Sequence, residues 1–289
     1  MKIHLESKSV VALFPTDILF QTTFWSRVKS RLGWNALAFD IDCPVQNGDV
    51  LVLTKHFGCN ASTAYIPQGP EISPDPENYG PFLEEFSENL IEHLDPSVTF
   101  IRYDLPWKSP YQNVDDGHSW EGHPEARLRE LRMNFGTKSW NLRKASVDMT
   151  VADSLVVDIR GPEEEILRKM KPKTQYNIRL AGRKEVVVEP ASVEMLPAFY
   201  DLYCQTAKRN GFVICDFRYF AALFTEYLLW AGTSKILFLL ARRGSALLAG
   251  GIFAISGRTA HYLFGASSRD HKSLMGPYAL HWEAIRCAR

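Results

Sequence analysis

Basic residues are concentrated in one short stretch of the sequence. Seven Lys and Arg residues fall within residues 168–184, whereas residues 71–98 contain eight Asp and Glu residues and no Lys or Arg. Cationic side chains bind phosphate groups through charge-assisted hydrogen bonds, which makes the basic stretch a candidate for phosphate or nucleic-acid binding. The alternative is a solvated helix face, because charge runs commonly lie on surfaces. The candidate phosphate-binding residues are Lys173, Arg179 and Arg183.

Asp104 is the candidate acid–base residue. It lies at the end of the predicted strand SVTFIRYDL, where a carboxylate could orient a reacting amine or accept its proton. A carboxylate that only caps a loop would have the same sequence context. In the second half, Gly250 and Gly251 interrupt an apolar strand, which indicates a bulge, the approach of a ligand or close packing. Tyr262, on the next strand, is a candidate for the border of a binding cleft.

Several kinds of catalytic site have no counterpart in the sequence. His118 and His123 lie in a loop, and there is no His-Glu-x-x-His motif, Cys/His cluster, Gly-x-Ser-x-Gly motif, P-loop or Gly-x-Gly-x-x-Gly motif. We therefore predict neither a metal site nor a cofactor. The five cysteines are widely spaced, which favours a reduced, cytoplasmic protein over a disulfide framework.

The composition is that of a globular protein with local charge segregation. Hydrophobic residues make up 46% of the chain and charged residues 23%, and the formal net charge is zero. A nucleic acid or a membrane would therefore have to be bound by a local patch. The sequence shows no signal peptide and no apolar run of roughly 20 residues. We expect a lipid-linked partner to be reached from the cytoplasmic face of the membrane.

The hydrophobic patterns of the first half predict alternating helix and strand. Phe24, Val28 and Leu32 recur at helical spacing, and Asn47-Gly48-Asp49 joins two apolar runs as a β-hairpin turn. An amphipathic helix follows before the strand that ends near Asp104.

The second half begins near Asp148 with the predicted strand SLVVDI. Helices, three successive strands and a closing helix follow it. This order is that of a GNAT-like acyltransferase domain, and the first half shows a looser version of it. The prediction is a mixed α/β (α+β) protein with two tandem GNAT-like domains, 1–147 and 148–289.

Four segments resemble the FemABX family of transferases. They cover the chain nearly from end to end, and the second of them is long and specific. The segments are KPKTQYNIRLAGRKEVVVE (171–189), YLFGASSRDHKSLMGPYALHWEAI (262–285), FWSRVKSRLGW (24–34) and AYIPQGP (64–70).

The resemblance implies a reaction and its substrates. Members of the family transfer an amino acid from aminoacyl-tRNA to the stem-peptide amine of a peptidoglycan precursor, either UDP-MurNAc-pentapeptide or lipid II, without acetyl-CoA. The resemblance also implies that Lys29 and Arg209 contact the diphosphate region of the precursor, with Tyr103 and Tyr262 as further substrate-binding residues. The family usually continues into a Phe-Lys segment that supports the transition state, and this sequence ends at Arg289 before it.

Two alternative functions remain open from the sequence. One is an N-acyltransferase that uses acyl-CoA, although the segment SSRDHKSLMGP has a single Gly where such enzymes have a Gly-rich pyrophosphate loop. The other is a non-catalytic protein that binds tRNA or a muropeptide. Binding of CoA would favour the first alternative, and precursor binding without turnover would favour the second.

Overall fold

The computed structural model describes residues 2–58, 61–109, 111, 123–139, 142–230, 232 and 234–289. The chain divides into two compact units, Met1–Ser154 and Leu155–Arg289. Among the described residues there are two β-sheets, one in each unit, and eight α-helices. The predicted mixed α/β fold is confirmed. No helix in the described part of the chain is long and apolar enough to cross a membrane.

The first unit is built on a five-stranded sheet. Its strand order is β1-β2-β3-β4-β5, and every neighbouring pair is antiparallel except the parallel pair β4 and β5. The elements are β1 (His4–Lys8), α1 (Thr23–Arg31), β2 (Asn35–Asp42), β3 (Gly48–Phe57), β4 (Ala61–Pro67), α2 (Tyr79–Ile91), β5 (Val98–Asp104) and α3 (Ala126–Met133), with short 3-10 turns at Val10–Ala12, Leu19–Gln21 and Pro76–Asn78.

The second unit is built on a four-stranded antiparallel sheet with the order β6-β7-β8-β9. Its elements are α4 (Glu163–Lys169), α5 (Pro172–Arg183), β6 (Val187–Pro190), α6 (Leu196–Asn210), α7 (Phe217–Leu229), β7 (Lys235–Arg243), β8 (Ala246–Ser256), β9 (Thr259–Ser267) and α8 (Gly276–Ala288), with 3-10 turns at Val193–Met195 and Lys272–Leu274.

Each sheet is covered by helices on both faces. In the first unit, Val50 and Val52 of β3 pack with α2, and the alternate residues Leu51 and Leu53 are buried on the other face, where α1 packs. In the second unit, α8 packs on one face of β7 and β8 through Leu280. Helix α6 packs on the other face, and apolar burial on both faces supplies the main driving force for folding.

The glycine pair of β8 is explained by close packing. A Cβ atom at Gly250 would lie 2.6 Å from Phe199 Cδ2, and one at Gly251 would lie 2.8 Å from Phe253 Cε2. Only glycine leaves room for α6 and for the Phe253 ring at these positions. Of the three possibilities left open by the sequence, the structure supports close packing.

The predictions of individual helices and strands are confirmed in part. Helix α1 and the β2–β3 hairpin are confirmed, but the connection lies at residues 43–47, because Gly48 and Asp49 of the predicted turn already pair with β2 as part of β3. The predicted strand SLVVDI is wrong: residues 154–159 form no strand, and the Leu155 side chain is 91% exposed. Its β-branched residues have high strand propensity, but none of the described strands pairs with it. His118 of the predicted long loop lies outside the described residues.

Glu84 ties α2 to the segment that follows α3. The buried carboxylate accepts hydrogen bonds from the Lys138 N–H at 2.6 Å and from the Ser139 N–H at 2.9 Å and hydroxyl at 3.1 Å. Burial raises the pKa of Glu84, but these hydrogen bonds outweigh it and hold the pKa below the ordinary value. The stabilisation is therefore present above the pKa of the unfolded chain and is lost as the pH falls through the folded-state pKa.

We expect Glu84→Gln to destabilise the first unit by about 1–3 kcal/mol at pH 7, because an amide cannot accept all three bonds. The loss should shrink towards pH 4, because protonation of the unfolded chain's carboxylate begins to remove the advantage of the ionised form. Urea unfolding at the two pH values measures this. The exposed Glu77→Gln is the matched control, and equal effects of the two substitutions at pH 7 would contradict the anchoring role.

Candidate functional site

A cavity of about 340 Å³ in the second unit is lined by cationic side chains. It lies where β9 ends, beside the last turn of α6 and the first turn of α8. Arg209 and Lys272 line it together with His271, and the positive end of the α8 dipole adds to the field of the two cations. Such a cavity suits an anionic group, above all a phosphate. The remaining lining residues are Leu248, Ser267, Ser268, Met275, Pro277 and Tyr278.

Arg209 is fixed in this cavity by hydrogen bonds to the end of β9. Its Nη1 donates to the Ser267 carbonyl at 2.8 Å and its Nη2 to the Ser267 hydroxyl at 3.2 Å, while Nε donates to Asn210 Oδ1 at 3.3 Å. Since a guanidinium has five N–H donors, two remain for a ligand among the described contacts. The predicted binding residue is thus held in one orientation at a cavity wall.

The start of α8 is set by a tight backbone geometry. Met275 has φ of 59°, which is uncommon for a residue with a Cβ atom, and a Cβ at Gly276 would lie 2.7 Å from Leu248 Cβ. The helix therefore begins directly against β8. Backbone strain of this kind tends to occur at binding sites.

A second cavity, of about 400 Å³, lies between α5 and α8 and is mainly apolar. It shares Pro277 and Tyr278 with the cationic cavity, so the two open on either side of the first turn of α8. Its other lining residues are Met170, Thr174, Ile178, His281, Trp282 and Ile285. A ligand with a phosphate and an aromatic or apolar part fits this pair of cavities.

Tyr262 lies next to the apolar cavity through His281. The two rings are 4.6 Å apart between centroids in an edge-to-face contact, and Phe253 packs on both. Contact among these rings partly removes water, which raises the pKa of the Tyr262 hydroxyl and lowers the pKa of His281, although both residues stay exposed on one side. Near neutral pH both rings are therefore uncharged.

The three predicted phosphate-binding residues share one exposed face of α5. Lys173, Arg179 and Arg183 recur at helical spacing together with Tyr176, and all four are exposed. The Arg183 guanidinium lies 5.6 Å from the centroid of the Tyr176 ring, a cation–π contact. Cations interleaved with an aromatic ring suit a nucleic-acid backbone with unpaired bases.

In the first unit, Lys29 lies among aromatic rings. The side chain is only 9% exposed, and its Nζ lies 5.2 Å from the Trp34 ring centroid and 5.8 Å from that of Trp25. Lys55 lies over Trp34 as well, at 5.4 Å, and donates to the Leu32 carbonyl at 3.2 Å. The ammonium groups of Lys29 and Lys55 both lie near the Trp34 indole and form a cationic centre at the C-terminal end of α1.

Asp104 is connected to this cationic centre through aromatic residues of the same sheet face. Trp34 packs against Tyr65 with ring centroids 6.0 Å apart, and the Tyr65 hydroxyl donates to Asp104 Oδ2 at 2.8 Å. Lys29 and Asp104 are thus brought into one network by two residues that sequence reasoning did not single out.

The Asp104 carboxylate is fully engaged by the protein. Arg102 donates to Oδ1 from Nε at 3.2 Å and from Nη2 at 3.1 Å, and Thr150 donates to Oδ2 from its N–H at 2.9 Å and its hydroxyl at 3.0 Å. This arrangement anchors the segment around Thr150 to β5. The catalytic role stays a prediction, and the geometry itself favours anchoring.

Tyr103 lies on the opposite face of the sheet from Asp104. Its ring packs on the core beneath α2, and its hydroxyl is hydrogen-bonded to the Ser87 hydroxyl at 2.8 Å. Burial raises the pKa of Tyr103 well above its ordinary value. Adjacent strand residues point to opposite faces, so the two predicted residues cannot serve one site together. The substrate-binding role of Tyr103 stays a prediction, and its placement favours a packing role.

Sequence reasoning missed His271, Lys272, Lys55, Trp34 and Tyr65. Each of them except Lys55 lies within a segment used for the family resemblance. The signal was therefore present, but the contacts that bring these residues together span distant parts of the chain. Among the described residues, no group of three or more His, Cys, Asp or Glu side chains could hold a metal ion.

The fold is shared with a solved structure. The structure titled "Crystal structure of FemX" superimposes with a TM-score of 0.65 over 97% of this chain and 82% of that chain, at 18% sequence identity. The two proteins therefore share a fold. A sequence model of the FemAB family matches residues 11–242, which is most of the chain. The chain belongs to the FemAB family.

Curated relatives agree with this assignment. The lipid II:glycine glycyltransferase of Staphylococcus aureus is 24% identical over 234 residues, which are 77% of this chain and 51% of the relative. The same protein from the strains USA300 and COL gives the same values. The chain spans about half the length of the curated relatives it matches.

Proposed function

We propose that this protein is an aminoacyltransferase that moves an amino acid from aminoacyl-tRNA to the stem-peptide amine of a peptidoglycan precursor. The observation that carries the proposal is the FemAB match over residues 11–242. The relative's name favours lipid II as the acceptor over UDP-MurNAc-pentapeptide. We further propose that each compact unit is a GNAT-like domain that uses neither acetyl-CoA nor a metal. The protein would work in the cytoplasm, at the inner face of the membrane.

The proposed reaction is the aminolysis of an activated ester. The acceptor nitrogen bonds to the ester carbonyl carbon, the ester C–O bond to the terminal ribose breaks, and the proton lost by the amine is balanced by the proton that the released ribose oxygen takes up to become a hydroxyl. Such a reaction needs orientation and stabilisation of negative charge more than a strong base. The cationic cavity, where Ser267 fixes the Arg209 guanidinium, is consistent with that demand.

The cationic cavity is proposed to hold the diphosphate of the precursor. Arg209 is pre-oriented by Ser267 and retains donors for phosphate oxygens, and Lys272 and His271 line the same wall. A planar guanidinium can bind two phosphate oxygens at once, which fixes the ligand's orientation as well as its position. Lys29, whose Nζ lies 5.2 Å from the Trp34 ring centroid, is proposed to be a precursor-binding residue.

The exposed face of α5 is proposed to bind tRNA phosphates. Neutralising it in the triple variant Lys173→Gln, Arg179→Gln, Arg183→Gln should weaken tRNA binding and reduce the slope of log Kobs against log salt by about 2, because each lost phosphate contact removes roughly 0.7–0.9. Filter binding from 50 to 200 mM salt measures both quantities.

A matched triple variant controls for net charge. Arg143, Lys235 and Arg243 are exposed cations outside α5, and their replacement by Gln removes the same charge. The two triple variants should differ in salt slope. Equal slopes would show that α5 is an ordinary solvated face.

A transfer assay tests the function itself. The protein is mixed with radiolabelled glycyl-, alanyl- or seryl-tRNA and with lipid II or UDP-MurNAc-pentapeptide. Label in the muropeptide would establish the reaction and both substrates. Precursor binding without transfer from any donor would leave a binding protein on a transferase fold. Transfer from acyl-CoA alone would replace the proposed donor.

A further inference from the structure

The connection between α6 and α7 exposes a cluster of apolar side chains. Val213 is 93% exposed, and its neighbours Phe212 and Ile214 are 41% and 44% exposed. Phe217, in the first turn of α7, adds a further partly exposed ring. Single exposed apolar residues are common, but adjacent ones on a protruding connection mark a contact surface. We call residues 212–214 the apolar loop.

The apolar loop is held in place from both ends. Gly211 closes α6 in the left-handed conformation with φ of 73°, and its N–H donates to the Ala207 carbonyl at 2.8 Å. The Tyr200 hydroxyl donates to the Cys215 carbonyl at 3.1 Å, and the Asp216 carboxylate caps α7 by accepting from the Arg218 N–H at 2.8 Å. The backbone of the loop is therefore fixed with Val213 turned to solvent, while the Phe212 ring keeps a contact with Tyr203 at 5.7 Å between centroids.

Cationic residues flank the apolar loop on both sides in the sequence. Residues 208–218 contain Lys208, Arg209 and Arg218 against the single acid Asp216, which gives a net charge of 3 − 1 = +2. Arg218 is partly neutralised by Asp216, whose carboxylate it contacts at 3.2 Å, and Lys208 is exposed. An apolar centre with a basic rim is complementary to an anionic bilayer surface, where apolar groups enter the acyl boundary and cations meet the headgroups.

We propose that the apolar loop inserts into the interfacial layer of an anionic membrane and holds the second unit at the bilayer. This proposal rests on the proposed function, since a lipid-linked acceptor lies at a membrane surface. The loop begins three residues after Arg209, so its insertion would place the cationic cavity close to the plane of the headgroups. If the loop instead bound a second copy of the chain or another protein, its apolar contacts would form without any requirement for anionic lipid.

Vesicle co-sedimentation tests the proposal without any acceptor or tRNA. Vesicles of phosphatidylglycerol and phosphatidylethanolamine should bind the protein, and vesicles of phosphatidylcholine should bind it much less. Val213→Asp should reduce binding to the anionic vesicles by about tenfold, because it removes an apolar contact and adds repulsion. Lys208→Gln should reduce binding by about fivefold, the effect of one cation near the surface.

Val151→Asp is the matched control, because Val151 is 73% exposed and lies outside every helix and strand. Equal loss in Val151→Asp and Val213→Asp would overturn the proposal, as would equal binding of the wild type to anionic and neutral vesicles. Concentration-dependent self-association that Val213→Asp abolishes, without vesicle binding, would assign the loop to a protein contact instead. Because the vesicles carry no muropeptide, a negative transfer assay leaves this result unaffected.

Discussion

Replacing Arg209 with alanine is expected to lower kcat/KM for the precursor by about 100-fold, mainly through weaker precursor binding. The loss corresponds to removing one partner of a hydrogen-bonded charge pair, which typically costs about 2–5 kcal/mol. The orientation of Arg209 towards a cationic cavity, fixed by Ser267, is the structural reason. Arg209→Lys should recover only part of the loss, because an ammonium keeps the charge without the bidentate geometry. Steady-state transfer kinetics and precursor titrations measure both effects.

An acceptor substrate that lacks the diphosphate distinguishes a substrate-binding role of Arg209 from a purely structural role. Wild type and Arg209→Ala should then differ by no more than about threefold, because the contact is already missing from the substrate, as in a double-mutant cycle. A loss of equal size with both acceptors would show that Arg209 acts by supporting the end of β9. Arg243→Ala, which removes an exposed arginine at the end of β7, is the control.

Local periodicity was sufficient to predict the elements that carry the site. The spacing of Lys173, Arg179 and Arg183 puts them on one face of any helix, and α5 is such a helix. Strand alternation likewise predicts from the sequence alone that Tyr103 and Asp104 point to opposite faces of the sheet. For the segment SLVVDI, local propensity predicts the wrong structure. Strand propensity depends on residue type alone and does not show whether a neighbouring strand is available for pairing.

Contacts between distant residues could not be predicted. Arg209 meets Ser267 because α6 packs across β8, which depends on the small volume of Gly250 beside Phe199. Asp104 meets Tyr65 because β4 and β5 run parallel, whereas β3 and β4 are antiparallel. Strand order and register are set by the packing of the whole unit. A single sequence gives the residue types but does not show which strands pair with each other.

Replacing Asp104 with asparagine is expected to destabilise the first unit by about 2–4 kcal/mol, because Arg102 would lose its counter-ion and an amide nitrogen would face hydrogen-bond donors. Arg102 and Asp104 side chains are only 16% and 11% exposed, so water compensates little of the loss. For a unit of this size the midpoint of thermal unfolding should fall by about 5–15 °C. Asp42→Asn, at an exposed position of the same sheet, should change the stability by less than about 0.5 kcal/mol.

The same variant decides between anchoring and catalysis. If Asp104 anchors the segment around Thr150, hydrogen exchange of the Thr150 amide should accelerate, since that amide donates to Asp104 Oδ2 at 2.9 Å. Transfer activity, measured well below the unfolding midpoint, should then retain the wild-type pH profile. A general base would give the reverse: unchanged stability and Thr150 exchange, a kcat lower by about 10²–10⁴ and an altered pH profile. Since five hydrogen bonds from Tyr65, Arg102 and Thr150 already engage the two Asp104 oxygens, we expect the first result, with the amine proton passing to solvent or to the substrate itself.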